Sequence, residues 1–158
     1  MGAGKTTIAQ LLSEKLNIKY IDIDSLIEEQ EDMKISTIFQ NKGEKYFRQQ
    51  EKETIFLTVQ PENLIISLGG GALENKETRE FLFKNSTIIY LKTTPETIYK
   101  RIKDNTSRPL LCDNMSVEKI REILKIREKI YKSASITINT DNKTPEKIVE
   151  EITGVLND

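Results

Sequence analysis

The 158-residue chain contains no histidine and no tryptophan. Without imidazole, His-based general-base catalysis and His-ligated metal centres are excluded. Any chemistry has to run on Asp, Glu, Lys, Arg, hydroxyls and backbone groups. Cys112 is the only cysteine, so no intrachain disulfide can form. That favours a reducing compartment, and the cytoplasm is the expected location. No apolar run approaches the roughly 20 residues needed to span a bilayer. The N-terminus lacks a signal-peptide hydrophobic core, so no membrane partner is expected. Neither sign of charge dominates: 24 Lys+Arg against 25 Asp+Glu leave a net charge of -1. The basic excess of a general nucleic-acid binder is missing, and no nucleic-acid partner is expected. There is no repeat, no low-complexity tract and no Pro/Gly-rich linker.

What is present reads as one soluble globular domain, with 37% apolar and 31% charged residues. Short runs rich in β-branched residues or Tyr lie at 19–24, 63–68, 87–91 and 135–139. Helix-period segments alternate with them at 5–16, 25–31, 43–59, 75–84, 94–104, 116–132 and 144–156. This alternation predicts a parallel sheet with helices on both faces. Thr144-Pro145-Glu146 reads as an N-cap, a Pro at the first helical position and an acidic first turn. The stretch 104–115, with Pro, Asn, Asp and Ser between two helices, is a candidate lid.

The opening GAGKTT, Gly2 to Thr7, is the second half of a phosphate loop. Its glycines let backbone N–H groups approach phosphate oxygens. Lys5 would reach the outer phosphates and the Thr6 hydroxyl Mg²⁺, and the next helix aims its positive end at the same anion. Met1-Gly2 with Thr6 also fits an N-myristoylation pattern. That reading leaves Lys5, Thr6, Thr7 and the amphipathic helix behind them unexplained.

Asp22 and Asp24, on an extended strand, would share one face and emerge at its carboxyl end, where α/β sheets bind ligands. One could hold Mg²⁺ and the other accept a hydroxyl proton; alternatively, Asp24 is an N-cap for the helix that follows. Gly69-Gly70-Gly71 ends an apolar strand, either as a tight turn or where a group approaches the backbone closely. Arg48 stands four residues after Glu44 and three before Glu51, so a helical ion pair competes with ligand binding. Arg127 falls on the apolar seam Ile120, Ile123, Leu124, Ile130, Tyr131. Its partner would be an anionic ligand, such as a carboxylate, or a buried Asp or Glu. Arg108, in the candidate lid, could close over a transferring phosphoryl group or simply be solvated.

In order along almost the whole chain, GAGKTT, DIDSLIE, GEKYFRQQE, LGGGA, RPLL preceded by Arg101, REKIYKSA and Asp141 to Pro145 resemble shikimate kinase. That family belongs to the nucleoside-monophosphate-kinase-like group of phosphate-loop proteins. The resemblance implies a single kinase domain over 1–158, with a substrate-binding helical region at about 25–60 and a lid at about 104–116. It implies a three-layer α/β P-loop kinase fold with a parallel sheet of order 2-3-1-4-5. It implies ATP-dependent phosphorylation of the 3-hydroxyl of shikimate, with ATP and Mg²⁺ as cofactors and a monomeric enzyme. Lys5 and Thr6 would serve phosphate and Mg²⁺, within a nucleotide loop of Gly2, Ala3, Gly4, Lys5, Thr6 and Thr7. Asp22 would support the metal through its water shell. Asp24 would bind ring hydroxyls and act as base. Arg48 and Arg127 would grip the carboxylate, helped by backbone at Gly69, Gly70 and Gly71. Arg108 would be the lid arginine, and Arg101 and Pro145 would flank the adenine.

The competing readings are another small-metabolite kinase such as a gluconate kinase, an inactive nucleotide- or shikimate-binding module, and a lipid-anchored interaction protein. Gluconate kinases are expected to share the opening loop but not GEKYFR or the triple glycine followed by RPLL. An inactive module would not need Lys5, Thr6, Asp22 and Asp24 together. Since the loop's first glycine and the strand before it would precede residue 1, about ten upstream residues are expected.

Overall fold

The computed structural model describes residues 2–59, 63–103 and 116–157. The chain divides into two compact units, Ala9–Ser86 and Met1–Ile8 with Thr87–Asp158.

In the unit Ala9–Ser86, strands β1 (Tyr20–Asp22) and β2 (Ile65–Ser67) pair in parallel, with Tyr20 opposite Ile65 and Asp22 opposite Ser67. Helices α2 (Ile23–Glu31) and α3 (Ile35–Thr58) connect them and pack on each other. Ile23, Ile27, Ile38 and Ile55 are fully buried. Burial of four such side chains contributes several kcal/mol, at about 1.5–3 each. Helix α4 (Lys76–Asn85) joins α3 through a Phe56–Phe81 stack with centroids 4.1 Å apart. The expected helix at 43–59 is present, and another helical piece, from Ile35, precedes it; the two meet within α3 at a kink at Gly43, at φ 82° and ψ 166°. Glycine alone takes that conformation without strain. Ile35, Ile38 and Phe39 carry the helical spacing ahead of it.

In the other unit, α1 begins with Lys5 (α1, Lys5–Leu16), directly after the glycine loop. Strands β3 (Ile89–Lys92) and β4 (Ile136–Asn139) pair in parallel, Ile89 opposite Ile136 and Lys92 opposite Asn139. Helix α5 (Pro95–Lys103) packs on α6 (Val117–Tyr131), and α7 (Pro145–Asn157) packs on β4 through buried Ile148, Val149 and Ile152. Each unit thus carries one two-stranded parallel pair, β1 with β2 and β3 with β4. Every strand is shorter than its apolar run; at β1 the run continues into α2. Among the described residues, no helix is long and apolar enough to cross a membrane.

Candidate active site

The phosphate loop is built from two glycines that only glycine conformation allows. Gly2 and Gly4 have φ of 64° and 84°. The Gly4 carbonyl accepts the Ile8 N–H at 2.9 Å, which starts α1 at Lys5. A side chain at Gly2 would run into Ile98 at 3.0 Å and Ile102 at 3.2 Å, so the loop lies tight on α5. The first turn of α1, with Lys5, Thr6 and Thr7, presents backbone N–H groups beyond the helix end, where an anion is favoured.

Arg101 belongs to the same place. Its Nη1 donates to the Gly2 carbonyl at 3.4 Å and stands 4.0 Å from where a Gly4 Cβ would be. Pro145 is the first residue of α7, exposed, with Thr144 capping the helix by accepting the Lys147 N–H at 3.3 Å. Gly2, Ala3, Gly4, Lys5, Thr6, Arg101 and Pro145 therefore all lie in the unit that carries β3 and β4.

The two early aspartates do not share a strand face. Asp22 ends β1 and is the N-cap of α2, accepting the Ser25 N–H at 3.1 Å. Asp24 lies in the first helical turn. The capping role expected of Asp24 thus falls to Asp22, for which no such role was foreseen. The strand ends two residues earlier than the alternation suggests because Ile23 turns inward as the first buried residue of the helix.

The glycine run is explained by close approach. A Cβ at Gly69 would lie 2.5 Å from Glu51 Oε1 and 2.9 Å from Asp24 Oδ1. A Cβ at Gly71 would lie 2.7–2.9 Å from the guanidinium of Arg48. Two carboxylates and a guanidinium thus rest against one loop. Arg48 Nη1 donates to Glu51 Oε2 at 2.8 Å and Nη2 to Glu44 Oε1 at 3.3 Å. The helical ion pair foreseen as an alternative is present. It uses two of the five guanidinium donors and orients the rest.

Glu51 was foreseen only as a surface partner. It is buried, and Oε1 has no hydrogen-bond partner among the described residues. Burial is the main cause that pushes its carboxyl above the ordinary range; Arg48 pulls it down, and the charges of Asp24 and Glu74 push it up. The available signal was its position three after Arg48 on a helix whose buried face includes Phe47, Thr54 and Ile55.

Asp24, Arg48, Gly69, Gly70 and Gly71 therefore form one cluster within the Ala9–Ser86 unit. Arg127 is half-buried on α6 of the other unit. Arg108, the lid at 104–115 and Cys112 lie outside the described residues, as does Met1.

Gly71→Ala is expected to test the cluster with little cost to the fold. Its φ of -103° suits any residue, and the group it strikes is the mobile end of Arg48. On the expectation that Arg48 grips a carboxylate, displacing that guanidinium by about 1 Å should lower kcat/KM for the substrate carrying it by about 10²-fold, with KM for the nucleotide unchanged. Steady-state kinetics with each substrate varied in turn, and a melting curve, make the check.

A family model described as shikimate kinase matches residues 1–157. The shikimate kinase of Sulfurihydrogenibium sp. (strain YO3AOP1) is 45% identical over 152 residues, 96% of this chain and 90% of the relative. That of Persephonella marina (strain DSM 14350 / EX-H1) is 44% identical over 154 residues, 98% of this chain and 93% of the relative. Among solved structures, the shikimate kinase from Acinetobacter baumannii in complex with shikimate superimposes with a TM-score of 0.92. Its identity is 33%, over 99% of this chain and 88% of that one. The deoxyadenosine kinase from M. mycoides with bound dCTP shares the fold at a TM-score of 0.62 and 18% identity, over 99% of this chain and 95% of that one.

Proposed function

Because this chain belongs to the shikimate kinase family, we propose that its two clusters divide the work of one phosphoryl transfer. The chain is an ATP-dependent phosphotransferase acting on a hydroxyl of shikimate. We assign the 3-hydroxyl as acceptor, and 1–158 as a single kinase domain with a substrate-binding region at about 25–60 and a lid at about 104–116. The enzyme acts as a cytoplasmic monomer, with no nucleic-acid or membrane partner.

The observation that carries the substrate assignment is the meeting of Arg48 and Asp24 at the Gly69–Gly71 loop. A small ring carrying a carboxylate and hydroxyls needs a planar cation at one end and an acceptor at the other. Arg48, held by Glu51 and Glu44, offers the first, with Arg127 as the second arm and the glycine backbone alongside. Asp24 accepts the hydroxyl proton as the acceptor oxygen bonds to phosphorus and the bridging P–O bond breaks, releasing ADP.

The nucleotide side fits ATP. The positive-φ glycines at Gly2 and Gly4, with the guanidinium of Arg101 beside them, form a cradle that side chains would fill. Gly2 to Thr7 bind the phosphates, Lys5 offsets charge on the outer ones, and Arg101 and Pro145 flank the adenine. Arg108 is assigned to offset charge on the transferred group. Among the described residues, no group of three or more His, Cys, Asp or Glu gathers into a metal cage. Mg²⁺ needs none, since it keeps most of its waters and leans on phosphates with one or two side chains. Thr6 would hold it directly and Asp22 through water; when bound, it would neutralise phosphate charge.

The test is ADP release coupled to an indicator, with and without shikimate and Mg²⁺. Shikimate-dependent ADP is expected; its absence overturns the proposal, and a substrate panel including gluconate separates related kinases. Arg127→Ala should raise KM for shikimate by at least about tenfold with KM for ATP unchanged. An unaltered shikimate KM would remove Arg127 from the site.

A further inference from the structure

Asp141 lies in the short loop between β4 and α7, and both its oxygens are used. The Thr94 backbone N–H donates to Oδ1 at 3.2 Å and Oδ2 at 3.1 Å, and the Thr94 hydroxyl donates to Oδ1 at 2.9 Å. These bonds reach across 47 positions of sequence to the start of α5. They lie just beyond the end of the β3–β4 ladder. There the Thr140 N–H meets the Lys92 carbonyl at 2.9 Å, and the buried hydroxyls of Thr93 and Thr140 share a bond of 2.7 Å. The ladder is closed without Asp141, so the aspartate is an addition to the fold rather than part of its core.

Each side of this bridge leads to a residue of the nucleotide site. On the loop side, only Asn142, Lys143 and Thr144 separate Asp141 from Pro145. That connection is stiff: the Asp141 N–H donates to Asn139 Oδ1 at 3.1 Å, Asn142 sits at φ 58°, and Thr144 caps α7. Pinning Asp141 pins Pro145. On the helix side, the Thr94 carbonyl accepts the Ile98 N–H at 3.0 Å and its hydroxyl oxygen accepts the Thr97 N–H at 3.4 Å, so Thr94 sets where α5 begins. Arg101 is one turn beyond Thr97 on the same face and touches the Gly2 carbonyl.

We infer that Asp141 is a positioning residue for the nucleotide, clamping the Pro145 loop to the start of α5 so that Pro145 and Arg101 are held at the spacing an adenine ring needs. The inference rests on the assignment of Pro145 and Arg101 to the adenine. Partial burial would raise the Asp141 carboxyl, but hydrogen bonds from Thr97 and Thr94 and the charge of Arg101 together hold it below the ordinary range. A carboxylate at the N-terminus of α5 also suits the helix dipole.

The experiment measures ADP binding to the full chain by calorimetry without shikimate, for wild type, Asp141→Ala and Asp141→Asn. Preorganisation lost in Asp141→Ala is expected to weaken ADP about tenfold and to raise KM for ATP alike, with KM for shikimate within twofold. Asp141→Asn keeps an acceptor for Thr94 and should recover most of the affinity. ADP affinity in Asp141→Ala within twofold of wild type overturns the inference. So does a parallel rise of both KM values, which a merely structural role would give. If Asp141→Ala does not fold, Thr94→Val removes the hydroxyl donor at an exposed position. About threefold weaker ADP is then the supporting result and unchanged ADP the opposing one. Wild type that binds ADP but forms none from ATP when shikimate is added would defeat the functional reading, while the calorimetry still decides Asp141.

Discussion

Lys5→Ala should leave a folded chain whose turnover has fallen by about 10³-fold or more. Lys5 is the first residue of α1, directly after a glycine at φ 84° that turns the backbone into the helix. Its ammonium therefore starts where the helix N-terminus and the loop N–H groups already favour an anion. Charge moves onto the bridging oxygen and the transferred group during phosphoryl transfer, so a cation there stabilises the transition state more than bound ATP. The loss should appear mainly in kcat. Alanine is a good helix former and the lysine is only half-buried, so the melting temperature should barely move. Turnover retained within tenfold of wild type would show that the outer phosphates lean on another group. Lys5→Arg, which keeps the charge but not its compact shape, is expected to recover only part of the rate.

The second large effect is expected at Asp24→Asn, which keeps size and one acceptor oxygen but removes the base. If Asp24 takes the hydroxyl proton, kcat should fall by about 10²- to 10⁴-fold with KM for shikimate little changed. If it serves only to bind ring hydroxyls, KM should rise with kcat nearly intact. The two outcomes separate catalysis from binding at one residue. The neighbourhood supplies an internal check. The Asp24 charge is one of the causes that raise the buried Glu51 carboxyl, behind burial itself. Removing that charge should make Glu51 easier to ionise, moving any limb of the pH–rate profile that reports Glu51 to lower pH. The sign also holds for stability. A carboxyl raised in the folded state costs stability as pH climbs through its range, and Asp24→Asn should relieve part of that cost.

Some of the candidate site was legible because its signals are local. The phosphate loop is a run of adjacent residues whose spacing encodes its own geometry. Arg48, Glu44 and Glu51 lie three and four apart on one helix, so their pairing could be written down before any fold was known. Three glycines in a row leave a tight turn and a close approach both open. They do not say what approaches. Strand ends were the weakest part. An apolar run reads the same whether it stays extended or turns into a buried first helical turn, as at Ile23.

By itself, the amino-acid sequence determined the α/β alternation, the helix that starts on a glycine loop, the absence of imidazole chemistry and the candidate cations. Each follows from periodicity, composition or adjacency, which act over a few residues. Only the tertiary structure decided which distant groups meet. Glu51 and Asp24 come together at Gly69, Arg48 lies on Gly71, and Asp141 ties down Thr94. The physical reason is that such meetings depend on how helices and strands pack. Moving one helix by a single turn would carry a side chain about 5.4 Å away from its partner. No local pattern specifies that distance; the buried isoleucines that seat α2 and α3 against each other do.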